Sequence, residues 1–379
     1  MSVAYTIVKE EAPPPLYDLT VITVCYNALQ GLKQTTDSVL AAKKRTAGVT
    51  IEHLVVDGGS ADGTPEWLQQ MKADGCIESY VSAPDRGIYD AMNKGINLAR
   101  GKILFFLNAG DTFTEQPLQP CLAPILEGRT AHVAARARLT EEKTGRVMGL
   151  SSYRPQVTYI VTPCCHQAYY ATAELYRRSG GYAARDFRCC ADGDSMAAHT
   201  SLCGEALAVE VETAHFAVGG FSQNTAERFL DEWLVFTWKH HDRALARAAA
   251  NEETAHLLTS YLLCYALLLT DWQQRYHPVP QEVLQHYAEV CRAAAELPQQ
   301  RAGIRRLLLY VAEQCVPQLL TSPALPLLQR CAVSYKVRFF RRRIAAPQES
   351  SFTSLLRVCE AELRLSLGNL IRTLKGRKR

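Results

Sequence analysis

The chain lacks several features, and each absence excludes a class of protein. No apolar run is long enough to cross a bilayer core of about 30 Å; the most apolar, residues 257–270, reads as a buried helix. No basic region followed by an apolar stretch opens the sequence, and Pro13-Pro14-Pro15 comes early, so no secretory signal is expected. The 13 cysteines form no CxxC. Their number is odd, their spacing irregular, and Cys164-Cys165 and Cys189-Cys190 are vicinal pairs poorly placed for ordinary disulfides. Reduced, mostly buried thiols in a cytosolic protein are the expectation. GxGxxG and GxxxxGK[ST] are both absent, which removes the two familiar phosphate cradles. No nucleic-acid-binding module is present, and nucleic acid is not an expected partner.

The composition that remains is that of a globular chain, with 47% hydrophobic and 21% charged residues over 379 positions. That length suggests two domains, or one large one with an appendage. Charge is unevenly placed. Arg330 to Arg379 holds 13 Lys/Arg against 3 Asp/Glu, whereas the other 329 residues hold 29 against 35. A mildly acidic body with a basic tail points to an anionic surface as the tail's partner. Within the tail, Tyr335, Phe339 and Phe340 mix with Lys336, Arg338 and Arg341-Arg342-Arg343, as in an interfacial amphipathic helix.

Residues 1–17 read as a loose arm. Apolar, β-branched runs at 19–25, 51–56, 77–81 and 102–107 read as buried strands. Helical spacing separates them: Leu29 to Leu40, a second helix from Thr64 with Thr64 as cap and Pro65 at its first position, and Ile88 to Ala99. This alternation predicts a mostly parallel sheet with right-handed crossovers. Further strands are expected at 132–139, 147–153 and 167–170. Beyond Phe221 the period becomes helical, over 225–272, 280–297, 302–315, 323–344 and 352–375. The expected organisation is an arm (1–17), an α/β domain (18–222) and a helical region with the basic tail (223–379).

In an open parallel sheet, ligands bind beyond the carboxyl ends of the strands. Those ends are polar here: Cys25-Tyr26-Asn27, then residues 57–64 (DGGSADGT), 83–87 (APDRG) and 108–111 (NAGD). Acidic tips repel a bare phosphate unless a divalent cation lies between.

The stretches TVITVCYN (20–27), EHLVVDGGSADGT (52–64), PDRGIYDAMNKGI (84–96) and GKILFFLNAGD (101–111) resemble the N-terminal half of a family 2 glycosyltransferase with the GT-A fold. The third stretch, with HQAYY (166–170) and VGGFS (218–222), is similar to transferases of exopolysaccharide and colanic-acid-type assembly. The resemblance implies an α/β GT-A domain followed by an all-helical C-terminal region. It also implies an inverting enzyme that moves a hexose or related sugar from a nucleoside-diphosphate sugar to a saccharide or lipid-linked acceptor. Tyr26, Asn27, Asp57 and Asp85 match nucleotide-holding positions, and Asn93 and Lys94 face the same cleft from the third helix. Asn108 to Asp111 occupy the place of the metal-binding DxD motif, with Mg²⁺ or Mn²⁺ as the implied cofactor. Asn108 and Gly110 replace the first and middle members, which leaves Asp111 as the metal ligand. The general base matches Asp192, with Asp194 as the alternative. His166 and Gln167 are implied to line the sugar or acceptor pocket. The implied location is cytoplasmic, peripheral at the inner face of the membrane. Two rivals stand beside this reading. A sugar nucleotidyltransferase would need a Gly-rich basic loop after the first strand, which is missing. A catalytically degenerate assembly partner would account for the reduced DxD.

Overall fold

A computed structural model describes residues 14–141, 144–218, 230–275, 281–300 and 302–316. The expected arm up to residue 13, the VGGFS stretch beyond Val218, the Phe221 boundary, the helices at 323–344 and 352–375 and the basic tail lie outside the described residues. Backbone contacts divide the chain into two units, one of residues 1–158 and 162–220, the other of 159–161 and 221–379.

The first unit begins with strand–helix alternation: β1 (Tyr17–Cys25), α1 (Leu29–Arg45), β2 (Ile51–Asp57), α2 (Thr64–Ala73), β3 (Ser79–Ser82), α3 (Ile88–Leu98) and β4 (Gly101–Phe106). All four strands run parallel, in the order β3-β2-β1-β4. Every residue of β2 is buried, as befits a strand covered on both faces. That burial includes Glu52, which is satisfied by Thr20 Oγ1 (2.6 Å), the Arg100 backbone N–H (2.9 Å) and Arg100 Nε (2.9 Å).

Beyond β4 the sheet becomes mixed. The elements are β5 (Thr112–Phe113), α4 (Gln119–Leu126), β6 (His132–Glu141), β7 (Val147–Ser151), a short 3-10 turn (His166–Ala168), β8 (Tyr169–Thr172), α5 (Ala173–Ser179), α6 (Ala191–Cys203) and β9 (Leu207–Val218). β8 joins β4 antiparallel, and the order continues β8-β6-β9-β5, with β7 paired to β6. Phe105 of β4 stacks on Tyr170 of β8 (4.3 Å between centroids) and on Phe113 of β5 (5.1 Å), tying the two halves through one core.

The second unit is helical where described: α7 (Leu230–Ala250), α8 (Glu252–Arg275), α9 (Gln281–Ala295) and α10 (Ala302–Tyr310), which passes into a π-helical turn (Val311–Cys315). Its core holds Phe236, Ala244, Leu258, Leu262, Tyr287 and Cys291. No helix among the described residues is long and apolar enough to cross a membrane.

Candidate active site

The polar tips of β1, β2 and β3 are woven together before any ligand is considered. Asn27 takes a left-handed conformation (φ 48°), which Asn tolerates better than most residues. Its backbone N–H donates to Ser60 Oγ (2.7 Å) and its Oδ1 accepts from the Ala61 N–H (2.9 Å), so the first loop is stitched to the second. Asp57 is fully buried at the end of β2 and accepts from Ser60 N–H (3.1 Å), Ser82 Oγ (2.6 Å), Cys25 Sγ (3.7 Å) and the Ser60 hydroxyl. One carboxylate thus gathers three neighbouring strand ends. Asp62 accepts the Leu29 N–H at the start of α1 (2.9 Å) and the Thr64 hydroxyl (2.6 Å), and these bonds hold its carboxyl below the usual range. Thr64 is therefore a donor to Asp62 rather than the helix cap expected from sequence; Gly63, left-handed at φ 86°, takes the cap position.

Around this frame lie the exposed groups. Tyr26 is 67% exposed. Asp85 accepts the Gly87 N–H (2.9 Å), and partial burial raises its pKa. Gly58 separates the two. A Cβ there would stand 2.7 Å from Asp85 Oδ2 and 3.3 Å from the Tyr26 ring, so any larger residue would displace the Asp85 carboxyl.

Asn93 and Lys94 differ from expectation: neither presents its polar end to an open cleft. Asn93 is buried, donating through Nδ2 to Tyr182 O (2.8 Å) and accepting the Tyr182 N–H (2.9 Å). Lys94, 1% exposed, donates to the carbonyls of Ala83 (3.1 Å) and Pro84 (2.9 Å). A buried ammonium has to spend its donors on protein acceptors, so Lys94 fastens the loop that carries Asp85.

The loop after β4 is built differently. Thr35 of α1 donates to Asp111 O (2.7 Å) and accepts the Gly110 N–H (3.0 Å). The carboxyl group of Asp111 is buried and accepts the Ala217 N–H of β9 (3.0 Å), with the Gln167 side chain as a second donor. Burial pushes its pKa up to about 7. Three residues earlier, Asn108 Oδ1 is buried with no hydrogen-bond partner. An unsatisfied buried oxygen and a desolvated carboxyl in one turn form a donor pair suited to a hard cation. Among the described residues no group of three or more His, Cys, Asp or Glu converges to hold a metal.

Asp192 and Asp194 open α6. Asp194 is 4% exposed; Asp192 is partly exposed, with its pKa raised by burial. Tyr89 of α3, which sequence reading did not single out, donates to Asp192 Oδ1 (3.1 Å). Cys165 is within electrostatic reach of both Asp111 and Asp192, and its thiol donates to Gln167 Oε1 (3.3 Å). So Gln167 belongs to the Asp111 surroundings. His166 is buried as well. It is 7% exposed, stacks on Phe106 (5.2 Å), bonds Tyr182 OH through Nε2 (2.7 Å), and burial lowers its pKa to about 4. Its Nε2 is thus committed to the Tyr182 hydroxyl.

The family model for Glycosyl transferase family 2 matches residues 20–191. An uncharacterized glycosyltransferase of Mycobacterium tuberculosis is 32% identical over 197 residues, which cover 49% of this chain and 70% of that protein. Succinoglycan biosynthesis protein ExoO of Rhizobium meliloti is 34% identical over 95 residues, 25% of this chain and only 26% of ExoO. Residues 1–349 of S. aureus TarS, solved with UDP, share the fold with a TM-score of 0.53 at 12% identity, over 80% of this chain and 89% of that one. Of the TarS chain in a further crystal structure, the match covers 54%. With this fold, these loops and a transferase relative matched over most of its length, the chain belongs to glycosyltransferase family 2 and is a glycosyltransferase of GT-A fold.

Proposed function

We propose that the enzyme is an inverting hexosyltransferase of polysaccharide assembly, taking its sugar from a nucleoside diphosphate and passing it to a saccharide or lipid-linked acceptor. The observation that carries the reading is Asp192, a carboxylate of raised pKa that is held by a hydrogen bond and still reaches solvent. A general base needs those three properties. Asp194, at 4% exposure, is the weaker choice.

In this reading Tyr26 and Asp85 receive the nucleoside, Asn27, Asp57 and Lys94 keep the receiving loops in place, and Asn93 holds the Tyr182 segment. Asp111 and Asn108 hold Mg²⁺ or Mn²⁺, which when bound neutralises charge on the leaving diphosphate. Gln167 orients Asp111, and His166 holds the Tyr182 hydroxyl. The acceptor hydroxyl loses its proton to Asp192 as its oxygen bonds the anomeric carbon. The bond from that carbon to the diphosphate oxygen breaks, and its electron pair leaves with the nucleoside diphosphate. Attack opposite the leaving group inverts the anomeric centre. ExoO, named for succinoglycan biosynthesis, supports a polysaccharide setting.

The test is nucleoside diphosphate release from a panel of UDP- and GDP-hexoses with Mn²⁺. Asp111→Asn should weaken Mn²⁺-dependent binding of UDP or GDP at least tenfold. Unchanged affinity and turnover would remove the metal role, and no release by the wild type from any donor would favour the degenerate partner. We place the enzyme in the cytoplasm, at the inner membrane face, held by the basic tail. Each Lys or Arg near an anionic surface contributes about 1 kcal/mol. Truncation after residue 325 should abolish co-sedimentation with anionic liposomes; equal pelleting would discard the attachment.

A further inference from the structure

α3 carries two residues that tie the donor and acceptor sides of the site together. It starts directly after the Asp85 loop, and Tyr89 and Asn93 follow one turn apart on one face. Asn93 grips both backbone polar groups of Tyr182, whose ring stacks on Tyr89 (5.5 Å, 25° between planes). The Tyr89 ring is therefore fixed on one side by a clamp on its own helix. Its hydroxyl ends on Asp192 Oδ1, 3.1 Å away and 103 residues later in the chain.

We propose that Tyr89 is a positioning residue of the transfer step: its hydroxyl holds the Asp192 carboxylate in the rotation from which it takes the acceptor's proton. The inference rests on the assignment of Asp192 as the base and goes beyond it. A carboxylate at a helix start can turn back onto the helix's own N–H groups or turn outward. In this chain the Gly193 N–H and the Asp192 N–H itself already pull on the group. A fixed phenol adds the sideways donor that chooses between them. Because Tyr89 sits on the helix that follows the donor loop, the same element sets donor and base relative to one another.

The surroundings make this bond matter. Asp192 meets Tyr89 from α3, Cys164 and Cys165 from the segment before β8, Tyr176 from α5 and Tyr182 from the loop after it, with Asp194 on its own turn. Burial raises the pKa of all five phenols and thiols, so they are neutral at neutral pH. None of these groups supplies positive charge to the carboxylate. The Tyr89 hydroxyl is the side-chain donor that favours its ionised form.

The experiment is the pH profile of nucleoside diphosphate release, with UDP- and GDP-hexoses as probes, for wild type, Tyr89→Phe, Asp192→Asn and the double variant. Tyr89→Phe keeps the ring and its stack. It should lower kcat about tenfold, leave the donor KM within twofold, and move the acid limb of kcat/KM up by about half to one pH unit. In the Asp192→Asn background the same substitution should change nothing further. An unmoved acid limb with unchanged kcat, in an enzyme that Asp192→Asn disables, overturns the positioning role and leaves the base intact. An Asp192→Asn enzyme as active as wild type overturns the base and this inference together. If Tyr89→Phe fails to fold, 3-fluorotyrosine at position 89 serves instead. A more acidic phenol strengthens the bond, and the acid limb should move down; an unmoved limb overturns the inference.

Discussion

Asp57 at the tip of β2 and the pair Asp111 and Asp192, completed by later elements, are treated in opposite ways. Asp57 is surrounded by hydroxyls, a thiol and an N–H that all donate to it. Asp111 and Asp192 sit among rings, thiols and apolar walls that remove water faster than they replace it, and their pKa values rise. Saturating a carboxylate with donors makes a rigid joint; desolvating it with few donors makes a group that exchanges a proton or seeks a cation near neutral pH. In the proposed mechanism Asp57 belongs to the frame, and Asp111 and Asp192 carry the chemistry.

Substitutions should separate the two. The largest effect belongs to Asp192→Asn: transfer should fall by about 10²–10⁴, with nucleoside diphosphate affinity unchanged by calorimetry. Asp57→Ala should act on the fold instead. Stranding its buried donors should cost about 3 kcal/mol in urea unfolding, and a loss confined to turnover would break the comparison. Third comes acid. The folded pKa of His166 is about 4, below an unfolded value near 6.5, so its neutral form stabilises the fold at neutral pH and that contribution is lost as pH falls through this window. Asp111, raised to about 7, has the opposite sign: its protonated form favours the fold at low pH, and this contribution is lost as pH rises through 7. Replacing His166 with Gln should flatten the decline of unfolding free energy between pH 6.5 and 5 by about 1.5 kcal/mol; an unchanged slope would show that His166 does not titrate on unfolding. The smallest effect is at Thr172, whose hydroxyl accepts the Leu175 N–H (3.1 Å) to cap α5. Thr172→Ala should cost about 1 kcal/mol in thermal unfolding without altering the pH profile of turnover.

The frame was legible in the sequence because it is written in local terms. β1, β2 and β4 are near-continuous apolar runs, and their polar tips follow directly in the chain. Later elements are not written that way. β9 carries Glu210 and Glu212, which pair across to Arg136 and Arg138 of β6, so a sheet strand reads as a polar segment. α6 buries Asp194, Ser195, His199 and Thr200 and shows no apolar stripe. β5 is two residues long. The candidate residues themselves were found by motif, but what each one holds was not: Asn93 and Lys94 spend their polar ends on backbone groups. Tyr89 was not singled out, because its partner lies 103 residues away in sequence.

The pairing of Thr112-Phe113 with Ala214-His215, and of Asp111 with Ala217, has a consequence for how the enzyme comes into being. A ribosome delivers residues 17–111 first, and all four strand tips of the frame are then present. The loop after β4 still lacks its outer partner, which arrives about a hundred residues later. Closing so long an intervening segment is slow relative to local pairing. The Asp111 turn therefore depends on β9, whose Ala217 N–H its carboxyl accepts. A nascent or truncated chain that stops before β9 has no means of assembling a complete catalytic centre.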